Sequence, residues 1–143
     1  MIGIIGAGSF GTALVKVISR NSPVLVYARH EALVNEINHA HSINGYPVRE
    51  HVLGTTRIQD IAERCELIFA VVPSSSFREM MQELNPHLSP AHMIIQCTKG
   101  LDVRLHPGED LMTMKITRDK VYTMTEVIRQ ESNVVRVGCL SGP

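Results

Sequence analysis

The sequence predicts one α/β domain of the doubly wound type, with a mostly parallel, six-stranded sheet and the first strand at its centre. Three observations support this prediction. Short apolar runs alternate with segments of helical period, and the first apolar run ends in a cluster of glycines. The 143 residues, 44% hydrophobic and 20% charged, are enough for a single domain with its own core.

The first two strands and helices repeat one pattern, an apolar run followed by a segment of helical period. Residues 2–6 are apolar throughout and end in glycine, which predicts a strand buried on both faces. From 9 to 20, apolar residues recur along one stripe of a helix. A second strand is predicted over 24–28 and a second helix over 31–40.

The middle of the chain predicts an edge strand, a short helix and the clearest buried strand. Residues 43–54 contain two glycines and a proline, and they predict a loop before a short edge strand near 55–57. Residues 58–65 place apolar side chains on one face of a brief helix. The apolar run at 67–72 is ended by Pro73 and predicts a buried strand.

The last part of the chain predicts two more strands and two more helices. Ser74–Ser76 are expected to cap a helix that runs through Leu84. Strands are predicted over 92–98 and 133–140. The segment between these strands is the least regular of the chain, apart from a predicted helix over 118–131.

The composition restricts the classes of partner. Basic and acidic residues both number 14, so net charge favours neither nucleic acid nor a membrane surface, and no apolar run approaches the ~20 residues that span a bilayer. Cys65, Cys97 and Cys139 are far apart and predict buried thiols in a reducing cytoplasm. His39 and His41 have no cysteine or acidic residue at ligand spacing, so no metal site is predicted.

Gly6, Gly8 and Gly11 form a G-x-G-x-x-G pattern between the first predicted strand and the first predicted helix. In a strand–helix–strand unit this pattern predicts a dinucleotide-binding turn of the Rossmann type. Gly6 would permit the tight turn, Gly8 the approach of a pyrophosphate, and Gly11 the close packing of helix on strand. The alternative is a glycine-rich turn with no ligand. The position of the pattern between a predicted strand and a predicted helix favours the dinucleotide-binding turn over this alternative.

The residues after the second strand indicate which dinucleotide is preferred. An NAD site usually has an acidic residue there, but this sequence has Arg29 and His30. A guanidinium can pair with a 2′-phosphate, so Arg29 favours NADP, with His30 as a second contact. Glu31 leaves NAD open, because a shift of two residues would bring an acid to the ribose. The other alternative is that Arg29 only begins a solvated helix.

The ends of later strands supply further candidates. Phe77 begins the helix after the fourth strand, where it would either cover part of the cofactor or belong to the core. Lys99 follows an apolar strand, and Gly100 frees the backbone behind it. Its ammonium would then meet an anionic substrate or the cofactor phosphates at the carboxyl edge of the sheet.

Six segments resemble those of a known family and follow one another in the same order as in that family: GAGSFGTAL, VYARH, FAVVPSSSFREMM, LNPHLSP, CTKGLD and LSGP. Together they resemble the NAD(P)-dependent sn-glycerol-3-phosphate dehydrogenases of bacteria, over nearly the whole chain. Such enzymes interconvert glycerol 3-phosphate and dihydroxyacetone phosphate for phospholipid synthesis. Residues 102–131 are longer and more irregular than the matching stretch of the family, so no role is transferred to them.

The resemblance implies roles for particular residues. Ser9 and Phe10 would contact the cofactor phosphates and ribose, and Tyr46 would add a contact. Lys99 would touch both the nicotinamide end and the substrate, and Gly142 would offer its backbone to glycerol phosphate. Arg29 and His30 would meet the 2′ side of the adenosine.

The resemblance also implies a second, helical domain that supplies the catalytic lysine and glycerol-phosphate-binding groups. The chain is therefore expected to be the cofactor domain (1–143) of a longer cytoplasmic enzyme, with no catalytic lysine of its own. The substrate would be a small phosphorylated molecule, and a homodimer is left open. Two alternatives are a cofactor domain of the ketopantoate or 6-phosphogluconate dehydrogenase type and a non-catalytic NADP-sensing module.

Overall fold

A six-stranded parallel sheet forms the centre of the computed structural model, which describes residues 1–141. In these residues the strands are β1 (Ile2–Ile5), β2 (Val24–Tyr27), β3 (Ser42–Ile43), β4 (Tyr46–Pro47), β5 (Val52–Thr55), β6 (Leu67–Ala70), β7 (Met93–Gln96), β8 (Asp102–Val103), β9 (Val121–Tyr122) and β10 (Arg136–Cys139). The large sheet has the order β10-β7-β6-β1-β2-β5. The predicted doubly wound fold is confirmed, with β1 inside the sheet.

The helices form a layer on each side of this sheet. They are α1 (Ser9–Ile18), α2 (Glu31–Ala40), α3 (Ile58–Arg64), α4 (Ser74–Leu84) and α5 (Met124–Glu131). Successive residues of β1 point to opposite faces, so Ile4 packs in the cluster with Leu14 of α1, and Ile5 packs in the cluster with Phe77 of α4. Both core clusters therefore contain residues of the same strand. None of the described helices is long and apolar enough to cross a membrane.

The predicted edge strand is displaced, and the predicted loop before it contains structure. The strand occupies Val52–Thr55 rather than 55–57. A Cβ on Gly54 would lie 3.2 Å from the Cα of Val34, so α2 packs directly on the backbone of β5. A glycine required by this packing interrupts the apolar run on which strand prediction depends.

The predicted helix over 118–131 begins only at Met124. Thr123 and Glu126 form a capping box at its start. The two residues before Thr123 form β9, which pairs with β8 in a separate antiparallel sheet. The prediction over-extended the helix because it followed the apolar spacing back to residue 118, although the Thr-x-x-Glu pattern at 123–126 is the sequence signature of a helix start.

Two smaller expectations are wrong. The three serines after Pro73 do not cap α4, because Pro73 itself is the N-cap residue and no side chain caps the helix. Cys65 and Cys97 are buried as expected, but Cys139 is exposed on the edge strand β10. An edge strand has a neighbour on one side only, so it shields its side chains less than an inner strand does.

Candidate functional site

The glycine turn joins β1 to α1 and is shaped by two close backbone approaches. Gly6 has a φ of 109°, and a Cβ there would lie 2.2 Å from the carbonyl oxygen of Val71. A Cβ on Gly11 would lie 2.1 Å from the carbonyl oxygen of Gly6. Neither position can therefore accept a side chain without movement of the backbone.

Gly8 differs from these two glycines because a Cβ there would meet no atom within 4 Å. It is the N-cap residue of α1, no side chain caps that helix, and no acidic residue lies in its first turn. The first N–H groups of α1 are thus left for another acceptor, and the helix dipole favours an anion there. An open backbone face beside such a helix start fits the pyrophosphate of a dinucleotide.

A crevice of about 480 Å³ opens on one side of this turn. It spans the carboxyl ends of β2, β1 and β6, and the sheet order reverses between β1 and β6. Its lining is Gly6, Ala7, Gly8, Tyr27, Ala28, Arg29, His30, Leu33, Asn44, Val71, Val72, Pro73 and Ser76. The structure thus brings together three sequence-predicted groups: the glycine turn, Arg29 and His30.

Arg29 is the main cationic group of this crevice. Its Nη2 lies 3.8 Å from Oε2 of Glu79, and both side chains are more than half exposed. An exposed ion pair at this distance contributes about 0.5 kcal/mol or less, so the guanidinium can exchange Glu79 for an anionic ligand. Glu31, the acidic alternative, begins α2 and does not line the crevice. Burial, together with the charge of Glu83, raises the pKa of Tyr27, which stays neutral.

A second concavity of about 470 Å³ lies against α1 on the other side of the turn. Its lining is Ala7, Gly8, Ser9, Thr12, Ala13, Lys16, Asn44 and Tyr46. The Nζ of Lys16 lies 5.0 Å from the centre of the Tyr46 ring, which is a cation–π distance. Ser9 and Tyr46, both predicted site residues, therefore share this surface.

Asn44 lines both concavities, and the sequence prediction missed it. Its Nδ2 donates to the carbonyl oxygen of Ala7 at 2.8 Å and to Oγ1 of Thr12 at 2.9 Å. Asn44 and Gly45 have φ angles of 51° and 79° and form the two-residue turn between β3 and β4. The signal was present in the sequence, because Asn-Gly between β-forming residues is a strong hairpin indicator.

The remaining predicted residues lie elsewhere. Phe77 is fully buried and belongs to the core, which excludes it as a cover for the cofactor. Lys99 and Phe10 are exposed but line neither concavity. Thr98, next to Lys99, donates from Oγ1 to the carbonyl oxygen of Val72 at 2.7 Å, so the carboxyl ends of β6 and β7 are joined. Gly142 lies outside the described residues.

A glycine turn beneath an open helix start, at the switch point of a parallel sheet, defines a Rossmann-type domain of the dinucleotide-binding class. Over residues 1–143 the chain matches the family described as NAD-dependent glycerol-3-phosphate dehydrogenase N-terminus. The chain belongs to this family.

Relatives and solved structures agree with this assignment. The chain is 30% identical over 145 residues to glycerol-3-phosphate dehydrogenase [NAD(P)+] of Saccharophagus degradans, covering 98% of this chain and 36% of that protein. It is 32% identical over 148 residues to the enzyme of that name from Methanothermobacter thermautotrophicus, covering 100% of this chain and 41% of the relative. The chain thus spans about two fifths of the length of these relatives.

A crystal structure of glycerol-3-phosphate dehydrogenase from Coxiella burnetii superposes with a TM-score of 0.77 at 28% identity. That match covers 99% of this chain and 40% of the other. The yeast enzyme, from Saccharomyces cerevisiae, has a TM-score of 0.79 at 21% identity, covering 99% of this chain and 41% of that one, and shows the shared fold alone.

Proposed function

We propose that residues 1–143 bind NADP(H) or NAD(H) as the cofactor domain of an enzyme that interconverts sn-glycerol 3-phosphate and dihydroxyacetone phosphate. The observation that supports this most directly is the open backbone face at Gly8 beside the uncapped start of α1. Membership of a glycerol-3-phosphate dehydrogenase family over the whole chain supports this choice of reaction.

The cofactor contacts follow from the two concavities. The pyrophosphate would lie over Gly8, Ser9 and Phe10, where the helix N–H groups can bind it. The adenosine would enter the crevice that contains Arg29 and His30, and Arg29 would pair with a 2′-phosphate. Tyr46 would contact the cofactor from the second concavity. This arrangement favours NADP(H) over NAD(H).

The bound cofactor supplies or accepts the hydride of the reaction. Lys99, exposed after β7, would hold the anionic substrate near the nicotinamide end, and Gly142 would offer its backbone to the substrate phosphate. A lysine of a second, helical domain would donate the proton to the forming hydroxyl in the reduction direction. That domain would follow Pro143, which is consistent with relatives more than twice as long as this chain.

We propose a cytoplasmic enzyme whose partner is a small phosphorylated molecule. All three cysteines are free, as a reducing compartment allows. A homodimer is proposed for the complete protein, and sedimentation velocity at two concentrations tests it. A single monomeric species at both concentrations would overturn the dimer.

The cofactor preference is tested by Arg29→Asp. The carboxylate would repel a 2′-phosphate and accept hydrogen bonds from a ribose hydroxyl, so the ratio of NADPH to NADH affinity should fall about 100-fold or more. Arg64→Asp is the control, because it makes the same charge change at the end of α3. Arg64 precedes β6 and so lies near the amino end of that strand, away from the carboxyl ends that form the crevice. An unchanged ratio in Arg29→Asp would remove the role given to Arg29.

The substrate is tested with the complete protein. NADPH oxidation should depend on dihydroxyacetone phosphate and not on ketopantoate. Activity with ketopantoate alone would assign another dehydrogenase type. Cofactor binding without any turnover would indicate an NADP-sensing module.

A further inference from the structure

Asn44 lies in a hairpin turn that hydrogen bonds attach to α2. The carboxylate oxygen Oε1 of Glu36 accepts from Ser42 Oγ at 2.6 Å and from the backbone N–H of Gly45 at 2.8 Å. The hydrogen bond from Ser42, followed by that from Gly45, lowers the pKa of Glu36. The turn between β3 and β4 is therefore tied to α2 on both sides of Asn44.

From this fixed position the amide of Asn44 reaches the glycine turn. One donated bond ends on the carbonyl oxygen of Ala7, the residue before Gly8, and the other on the side-chain hydroxyl of Thr12 in α1. The N–H of Thr12 in turn donates to the carbonyl oxygen of Gly8 at 2.8 Å. One side-chain amide thus links the middle of the turn to the first turn of α1.

The bond to Ala7 has a consequence for the next peptide group. In a planar trans peptide the carbonyl oxygen of Ala7 and the N–H of Gly8 point in opposite directions. Holding the oxygen toward Asn44 therefore holds the N–H of Gly8 away from the hairpin. Within residues 1–141 this N–H has no hydrogen-bond acceptor, so it is available to a ligand.

We propose that Asn44 is a positioning residue for the cofactor, which orients the N–H of Gly8 toward the pyrophosphate. The inference rests on the proposed function, since it assumes that a dinucleotide binds at this turn. Asn44 acts through Ala7 and Gly8 rather than by reacting itself. An unbraced turn would have to be ordered by the ligand, at a cost in affinity.

The test variants keep the hairpin turn intact. Asn44→Gly retains a residue that tolerates positive φ and removes the amide. Asn44→Asp tolerates the same conformation, cannot donate to Ala7 when ionised, and adds a negative charge near the phosphates. Asn38→Ala is the matched control, because the side-chain amide of Asn38 also makes two hydrogen bonds, both with the backbone of Gly54 in the edge strand.

Binding is measured on the 143-residue chain with two ligands. NADPH carries the pyrophosphate, whereas adenosine 2′-monophosphate has only the part that would meet Arg29. Asn44→Gly should raise the Kd for NADPH about tenfold, equivalent to about 1.4 kcal/mol, and leave the Kd for the monophosphate within twofold. Asn44→Asp should raise the Kd for NADPH further than Asn44→Gly does, and added salt should reduce this difference between the two variants. Asn38→Ala should change neither Kd.

A second measurement needs no ligand. The NMR order parameter of the Gly8 amide should fall in Asn44→Gly but not in Asn38→Ala. Unchanged NADPH affinity in Asn44→Gly, or equal losses for both ligands, would overturn the positioning role while leaving the proposed function intact. An unchanged Gly8 order parameter would do the same. Failure of the parent chain to bind NADPH or NADH would overturn the proposed function and this inference with it.

Discussion

Gly8 and Gly11 lie in the same turn but have opposite surroundings. Gly11 faces the carbonyl oxygen of Gly6 at a distance that no Cβ can tolerate, whereas Gly8 faces open space. Gly11→Ala should therefore lower the free energy of unfolding by about 2–3 kcal/mol, because the helix must move away from the strand. Gly8→Ala should change it by about 0.5 kcal/mol or less. Urea denaturation of both variants measures the difference.

Cofactor titration separates the same two variants in a second way. A methyl group on Gly8 would occupy the face proposed for the pyrophosphate, so Gly8→Ala should weaken NADPH binding about tenfold or more despite its unchanged stability. Full affinity in a normally folded Gly8→Ala chain would show that the pyrophosphate lies elsewhere.

Arg78 of α4 connects the segment after β7 to the rest of the domain. Its guanidinium lies 2.7 Å from Oδ2 of Asp102 and also pairs with Glu131 at the end of α5. All three side chains are at most 16% exposed. The ring of Tyr122 lies 5.5 Å away and completes the surroundings of the cation.

Arg78→Met should destabilise the chain by about 3 kcal/mol, because it leaves the mostly buried carboxylates of Asp102 and Glu131 without their cationic partner. Arg136→Met is the control, since Arg136 and Glu66 form a more exposed pair whose loss should cost about 1 kcal/mol or less. Urea denaturation gives both values. Similar costs would mean that the Arg78 cluster does not stabilise the segment.

The capping box of α5 makes stability depend on pH. The backbone hydrogen bond from Thr123, then the bond from Arg118, lower the pKa of Glu126 to about 2. Because the folded-state pKa lies below the unfolded one, its contribution is complete above about pH 4.5 and is lost as pH falls toward 2. Glu126→Gln should therefore be less stable than the parent at pH 6, and the gap should narrow by pH 3. Urea midpoints across this range measure the gap, and a constant gap would contradict a contribution from the charge of the Glu126 carboxylate.

Elements whose signal is local could be predicted from the sequence. The apolar run of β1 and the spacing of Leu14 along α1 can be recognised without knowing what packs against them. The edge strand could not be placed, because Gly54 is selected by its contact with Val34, a residue twenty positions earlier. The position of Arg78 between two acidic partners depends likewise on contacts more than twenty residues away.

At the scale of the whole molecule, the sheet order brings the candidate groups to one edge. Gly6 and Arg29 could be predicted to meet because both follow adjacent parallel strands, whose carboxyl ends share that edge. The Asn-Gly pair indicates the hairpin turn, but the contacts of Asn44 with Ala7 and Thr12 could not be predicted, because they depend on how the hairpin folds back over α1. Lys99 follows β7, one strand further from β1, which explains why it does not line the crevice at the switch point.

Binding at this edge should stabilise the whole domain, because its crevice joins strands from both halves of the sheet. At a free NADPH concentration 100 times its Kd, the stabilisation should be about 2.7 kcal/mol, which corresponds to a rise in Tm of about 9 °C for a domain of this size. Nicotinamide mononucleotide lacks the adenosine and pyrophosphate and should give a much smaller rise. Calorimetry measures both, and no rise with NADPH would contradict binding.

The same chain should not turn over dihydroxyacetone phosphate, because the proposed catalytic lysine belongs to a second domain. Robust turnover by residues 1–143 would refute this assignment of the lysine to a second domain.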